Sequence, residues 1–83
     1  MNMTRYPLEI IVKTRGFYDQ HGGKKVCFLT SGMALPAYRY DEGGYCAYVQ
    51  RNGWNEPVNM TVVVEVGNVS SWHRKTQPEP DKS

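Results

Sequence analysis

The 83-residue chain has few of the features that mark secreted, membrane or metal-binding proteins. It contains only two cysteines, Cys27 and Cys46, whereas small secreted scaffolds carry about four or more. No apolar run approaches the ~18 residues that span a bilayer, and the first residues lack the apolar core of a secretory signal. We therefore expect a cytoplasmic protein with two free thiols and no membrane contact.

Motifs for metal binding and catalysis are also missing. The cysteines are separated by eighteen residues and neither His21 nor His73 has a ligand neighbour, so the close ligand pairing of a zinc site is absent. No flanking motif supports a nucleophilic pair of Cys46 with either histidine. Adjacent acidic residues occur only beside Gly43 and Gly44, where they are typical turn formers. We expect no metal, no cofactor and no catalytic residue, and hence a protein that is not an enzyme.

The charge of the chain is nearly balanced. Ten Lys and Arg oppose eight Asp and Glu, which gives a net charge of +2. This balance neither requires nor excludes a nucleic-acid partner.

The strongest structural pattern is the valine-rich segment from Val58 to Val66. Its even-numbered residues are all apolar and share one face in an extended chain, whereas the other face is mixed. This pattern predicts a long central strand with one side on a core. Shorter strands are predicted over residues 8–15, 24–30, 37–40 and 45–51.

The connections carry specific turn signals. Residues 17–23 are predicted to form a loop, because paired glycines penalise regular structure. Asn52-Gly53 favours a type I′ hairpin turn, and Pro57 should lie at a sheet edge or bulge because it has no N–H to donate. Residues 68–75 have room for one or two helical turns.

Five short strands bounded by glycine or proline predict an all-β, mainly antiparallel fold. The expected architecture is a small five-stranded barrel or rolled sheet, SH3-like or of the oligonucleotide-binding type, with one short C-terminal helical turn. We expect one small β-domain over residues 1–75 and a disordered polar tail over residues 76–83.

Aromatic and basic residues are the remaining enrichment, with six Tyr, two Trp and two Phe. Aromatic residues near glycine-bounded loops and turns often mark contact surfaces. We therefore predict a small binding protein that sterically occupies a surface on another protein, as an accessory or inhibitor protein does. The predicted contact residues are Phe17, Tyr18, Arg51, Trp54 and Trp72.

Two alternatives remain open at this stage. The first is single-stranded nucleic-acid binding on a small barrel, in which rings stack on bases and cations hold phosphates. Its predicted residues are Lys13, Arg15, Tyr38, Arg39, Tyr40 and Tyr48. The second is a homodimer formed through an exposed edge strand beside Pro57.

Overall fold

A computed structural model describes residues 5–40 and 43–75, which form seven strands and one short 3₁₀ turn over Val66–Asn68. The predicted all-β, antiparallel class is confirmed. The predicted polar tail, residues 76–83, lies outside the described residues. The strands are β1 (Leu8–Val12), β2 (Gly16–Asp19), β3 (Val26–Leu29), β4 (Ala34–Arg39), β5 (Tyr45–Asn52), β6 (Pro57–Val64) and β7 (Val69–Arg74).

The strands form two antiparallel sheets. Five of them pair in the order β6-β5-β4-β1-β7, and β2 pairs with β3 as a separate hairpin. The hairpin is tied to β6 by a bridge between Gln20 and Val62 and by the His21 N–H, which donates to the Thr61 carbonyl at 2.8 Å. The strands do not close into a barrel, so that form of the predicted architecture is wrong.

The core lies between one face of the five-stranded sheet and the inner face of the hairpin. Alternate residues of each strand point inward, as strand geometry requires. Ile10 on β1, Ala47 on β5 and Val62 on β6 are fully buried. The hairpin adds Tyr18, Cys27 and Leu29 to the same cluster. Both cysteines are free, as the sequence predicts, and the structure shows that both are buried.

The valine-rich strand is correctly predicted as extended but wrongly placed. β6 lies at one edge of the five-stranded sheet, not at its centre. Val62 and Val64 face the core as the alternation predicts, whereas Val66 lies in the 3₁₀ turn and is 63% exposed. The hydrophobic pattern therefore identifies the strand and its inner face, but it overruns the end of the strand.

Two segments form strands that the sequence analysis does not predict. The expected loop over residues 17–23 begins with β2, whose residues pair with β3 in continuous register. The expected helical turns over residues 68–75 are wrong, because residues 69–74 form β7 and pair with β1. Pairing with another strand satisfies the backbone of both segments, and no local sequence pattern reports that pairing.

The β5–β6 connection also differs from the prediction. The two strands pair as far as Asn52 and Pro57, which leaves a four-residue loop over residues 53–56. The Gly53 N–H donates to the Glu56 carbonyl at 3.1 Å. Neither Asn52 nor Gly53 has a positive φ, so the predicted type I′ turn is absent. Pro57 begins an edge strand, as predicted.

Candidate protein-binding surface

The outer side of the β2–β3 hairpin carries an exposed apolar cluster. Because Tyr18 and its partner Cys27 point inward, the neighbouring pair Phe17 and Phe28 points outward. Their rings meet edge to face with centroids 5.2 Å apart. Val26 follows on the same side of β3 and is also exposed. We call Phe17, Val26 and Phe28 the aromatic hairpin face.

The strands that carry the aromatic hairpin face are packed against the core on their other side. Phe17 is 71% exposed although the next residue, Tyr18, is packed in the core. A small domain with a filled core has no structural need for a phenylalanine pair on its surface. Contiguous exposed apolar side chains of this kind mark interaction sites on soluble proteins.

A groove of about 550 Å³ borders this face, between the hairpin and the start of β6. Val26 and Met60 contribute apolar surface to the groove, and Lys24, Lys25 and Glu56 contribute charge. The loop that carries Glu56 also carries Trp54, whose side chain is 94% exposed. The predicted contact residue Trp54 is therefore exposed and lies two positions along the loop from a residue that lines the groove.

Arg51, a predicted contact residue, fastens the hairpin to the sheet. Its guanidinium Nη2 donates to the Phe28 carbonyl at 2.7 Å and lies 3.5 Å from the Cys27 Sγ. Because this bond crosses from β5 to β3, it fixes the outer edge of the hairpin. Arg51 is partly buried and supports the aromatic hairpin face from beside it.

Tyr18 is not available to a partner. Its ring is 7% exposed and its hydroxyl donates to the Thr14 carbonyl. Burial raises the pKa of the Tyr18 phenol above the usual value. The prediction of an exposed loop aromatic is wrong here, because the residue lies on the inward side of a strand that the sequence pattern does not reveal.

Trp72 lies apart from the hairpin cluster. It belongs to β7, at the opposite end of the five-stranded sheet from β6. The Arg39 guanidinium lies 4.9 Å from the centroid of its ring, a cation–π contact. The structure therefore separates the predicted contact residues: Phe17 lies on the hairpin and Arg51 contacts it, whereas Trp54 lies in the β5–β6 loop. Tyr18 is buried and Trp72 lies at the far edge of the sheet.

Two of the three tyrosines of the nucleic-acid alternative lie near each other, and the third does not join them. Tyr38 and Tyr48 both lie on the outer face of the five-stranded sheet, on either side of Tyr6, with ring centroids 5.7 Å and 5.5 Å from the Tyr6 ring. Tyr40 packs against His21 with centroids 5.1 Å apart. We call Tyr6, Tyr38 and Tyr48 the tyrosine cluster.

The cations predicted to accompany these rings are elsewhere. Arg39 pairs across the sheet with buried Tyr45, so it belongs to the opposite face from Tyr38. Arg51 binds the hairpin. Lys13 and Arg15 lie in the connection between β1 and β2, outside the tyrosine cluster. The structure therefore groups two of the three predicted stacking residues, together with Tyr6, but not the cations that would hold a phosphate backbone.

Sequence reasoning missed Val26, Phe28 and Tyr6 as surface residues. The alternation of β3 correctly separates Val26 and Phe28 from Cys27 and Leu29, but both sides are apolar. Only the packing of the hairpin decides which side faces water. For Tyr6, an aromatic residue next to Pro7 gave no periodic signal.

The two tyrosines with raised pKa values predict a loss of stability in alkali. The pKa of Tyr38 is raised above 10.0 chiefly by its hydrogen bond with the Cys46 thiol, and that of Tyr18 by burial. Above that pH the folded state holds more protons than the unfolded state, so the free energy of unfolding should fall as pH rises. At lower pH both phenols are protonated in the folded and in the unfolded state, so they do not make the free energy of unfolding depend on pH.

Urea unfolding between about pH 9 and about pH 11 measures this slope. The double variant Tyr18→Phe/Tyr38→Phe should reduce it. An equal slope in the variant would contradict the assignment to these two phenols.

The candidate catalytic groups are engaged elsewhere or buried. The Cys46 thiol is fully buried, and the His73 Nε2 lies 3.1 Å from the Glu9 Oε1. Within residues 5–40 and 43–75, no three His, Cys, Asp or Glu residues lie together in a way that could hold a metal ion.

The fold and this surface define the protein as a small antiparallel β-domain with an exposed aromatic hairpin. Comparison with protein-family models, curated proteins and solved structures finds no match. Among the described residues, no helix has the length and apolar character needed to cross a membrane.

Proposed function

We propose that this protein is a non-enzymatic binding protein that acts by occupying a surface on another protein. The observation that carries the proposal is the aromatic hairpin face, in which Phe17, Val26 and Phe28 are exposed on strands whose other side is core. Aromatic residues held in place by packing lose little conformational entropy when they bind. They are also typical anchors of protein interfaces.

The surroundings of this face suit an accessory or inhibitor protein. Lys24 and Lys25 border the groove beside Val26 and supply the charged rim that speeds encounter with a partner. The Arg51 bond to Phe28 holds the hairpin in one orientation, so the rings are positioned before binding. In the proposed mechanism, the rings bury in the partner and the body of the domain blocks the surrounding surface.

The compartment proposed for this activity is the cytoplasm. Two free thiols in the described structure, Cys27 and Cys46, fit a reducing environment.

Site-specific photo-crosslinking tests the proposal. A benzophenone amino acid at Phe17 should form covalent adducts with a protein partner in an extract of the host, because this side chain is buried in the proposed interface. The matched control carries the same group at Gln50, an exposed residue on the opposite face of the five-stranded sheet. Equal adducts from both positions, or none from Phe17, would contradict the proposal.

The tyrosine cluster supports the second candidate function, single-stranded nucleic-acid binding. The crosslinking experiment also separates the two, because Gln50 lies on the same outer face as Tyr48 and a probe there would capture a nucleic acid bound to the tyrosine cluster. A nucleic-acid adduct is removed by nuclease and weakens steeply with added salt, because phosphate contacts release counterions. A protein adduct survives both treatments.

Among the proposed partners, a second copy that pairs through the edge of β6 has the least support from the structure. The His21 N–H already donates to Thr61, so the second half of the β6 edge is covered by the hairpin. The remaining edge begins with Pro57, which has no N–H to donate. Few backbone groups are left there for a second copy.

A further inference from the structure

The outer edge of β7 is an open pairing edge. β7 is the last strand of the five-stranded sheet, and among the residues that the structure describes it pairs only with β1. Residues 70–74 are all exposed. A strand edge with unpaired N–H and C=O groups is a template for another strand. This surface lies apart from the aromatic hairpin face and does not depend on the function proposed for it.

The register identifies which backbone groups are open. The Lys75 N–H donates to the Pro7 carbonyl at 2.8 Å, so residues 71, 73 and 75 direct their backbone groups toward β1. In an antiparallel pair the intervening residues direct theirs away from the partner. The N–H and C=O groups of Trp72 and Arg74 therefore point to the open edge. Within residues 5–40 and 43–75, no hydrogen bond reaches them from that side.

The edges of β6 and β3 are partly covered by neighbouring groups, whereas no described residue covers the outer edge of β7. The hairpin covers part of β6 through His21 and Thr61. Arg51 occupies the Phe28 carbonyl on the outer edge of β3. Natural β-proteins usually protect their edges by such means, so an unprotected edge is a candidate binding site.

The charge on this edge is positive. His73, Arg74 and Lys75 follow one another, and Arg39 stacks on the ring of Trp72. The nearest carboxylate that the structure places here is Glu9, which is partly buried and already contacts His73. Residues 66–75 contain no acidic residue.

These charges decide which kind of strand can pair with the open edge of β7. Antiparallel pairing of β7 with β7 of a second copy, centred on His73 so that Trp72 of each copy faces Arg74 of the other, would bring the cations of both copies close together, and like charges that face each other across strands are destabilising. A strand that carries carboxylates on one side would instead meet Arg74, which lies on the same face of β7 as Trp72, and Arg39, whose guanidinium contacts the Trp72 ring. The ring is 44% exposed and offers apolar surface to a β-branched or aromatic neighbour.

We infer that the open edge of β7 binds an extended acidic segment of a partner protein as an additional strand of the sheet. Backbone hydrogen bonds to Trp72 and Arg74 supply the binding, and the cations supply the preference for carboxylates.

Amide hydrogen exchange tests the inference directly. The probe is a blocked peptide of about eight residues, matched to a long strand, in which glutamate alternates with valine. In the free protein the amides of Trp72 and Arg74 should exchange rapidly, whereas those of Ser71 and His73 are protected by β1. The peptide should slow exchange at Trp72 and Arg74 by a factor of about ten or more.

Three controls separate charge from backbone pairing. A peptide with lysine in place of glutamate should leave the exchange unchanged, and Arg74→Glu should weaken binding of the glutamate peptide by roughly tenfold. A glutamate peptide N-methylated at every residue has no N–H to offer and should not bind. Phe17→Ala/Phe28→Ala should bind the peptide as well as wild type does, which keeps this test separate from the hairpin proposal.

Four results would overturn the inference. The first two are no slowing of exchange with the glutamate peptide and equal slowing with the lysine peptide. The third is binding of the N-methylated peptide. The fourth is slow exchange of the Trp72 and Arg74 amides in the absence of peptide, with a protection that increases with protein concentration. The last result would identify a second copy as the occupant.

Discussion

Replacing Leu29 with alanine is expected to lower the free energy of unfolding by about 3 kcal/mol, a large fraction of the stability of a domain this small. Leu29 is fully buried on the inner side of β3 and belongs to the core shared by the hairpin and the five-stranded sheet. Its removal leaves a cavity where the hairpin meets that sheet. Urea unfolding followed by circular dichroism measures the change.

The adjacent residue supplies the matched control. Phe28 lies on the other side of β3 and is exposed, so Phe28→Ala should cost about 1 kcal/mol or less. Equal losses in the two variants would mean that the hairpin does not pack on the sheet as described. Such a result would also remove the platform on which the aromatic hairpin face depends.

The second large effect concerns binding. Phe17→Ala/Phe28→Ala is expected to weaken binding of the partner captured by crosslinking by roughly a hundredfold, because it removes two aromatic anchors of more than about 1 kcal/mol each. Titration calorimetry with the purified partner measures the loss. The variant should stay folded, since both side chains point away from the core.

Trp72→Ala is the control for this experiment. Trp72 is also an exposed aromatic residue, but it lies on β7 at the far edge of the five-stranded sheet from β6. Its replacement should leave affinity for the hairpin-bound partner within about threefold of wild type. If Trp72→Ala weakens binding as much as the double variant does, the partner does not recognise the aromatic hairpin face.

The strands predicted from the sequence are those with one strongly apolar side. On β1, Leu8, Ile10 and Val12 are buried as their alternation predicts, while Glu9 and Ile11 are only partly buried. β7 has no such contrast, because five of its six residues are exposed. A strand held mainly by backbone pairing to β1 leaves no periodic hydrophobic signal.

The candidate sites were less predictable than the strands. Phe17 and Trp54 are exposed, but Phe17 lies on a strand where a loop was expected, and its neighbour Tyr18 is buried. One residue along a strand reverses the direction of a side chain, so the outcome depends on a register that the partner strand sets. Arg51 and Phe28 lie twenty-three positions apart in the chain, and only the folded structure brings them into contact.

The sequence by itself determined that the chain is built from short antiparallel strands with two unpaired thiols, because alternation and turn residues act locally. The tertiary structure decided which strands lie at the edges, which side of the hairpin faces water and which cations stand beside which rings. Those features arise from contacts between segments that are distant in the sequence. A strand with apolar residues on both sides can turn either side to the core, so its period-two pattern does not decide which side faces water.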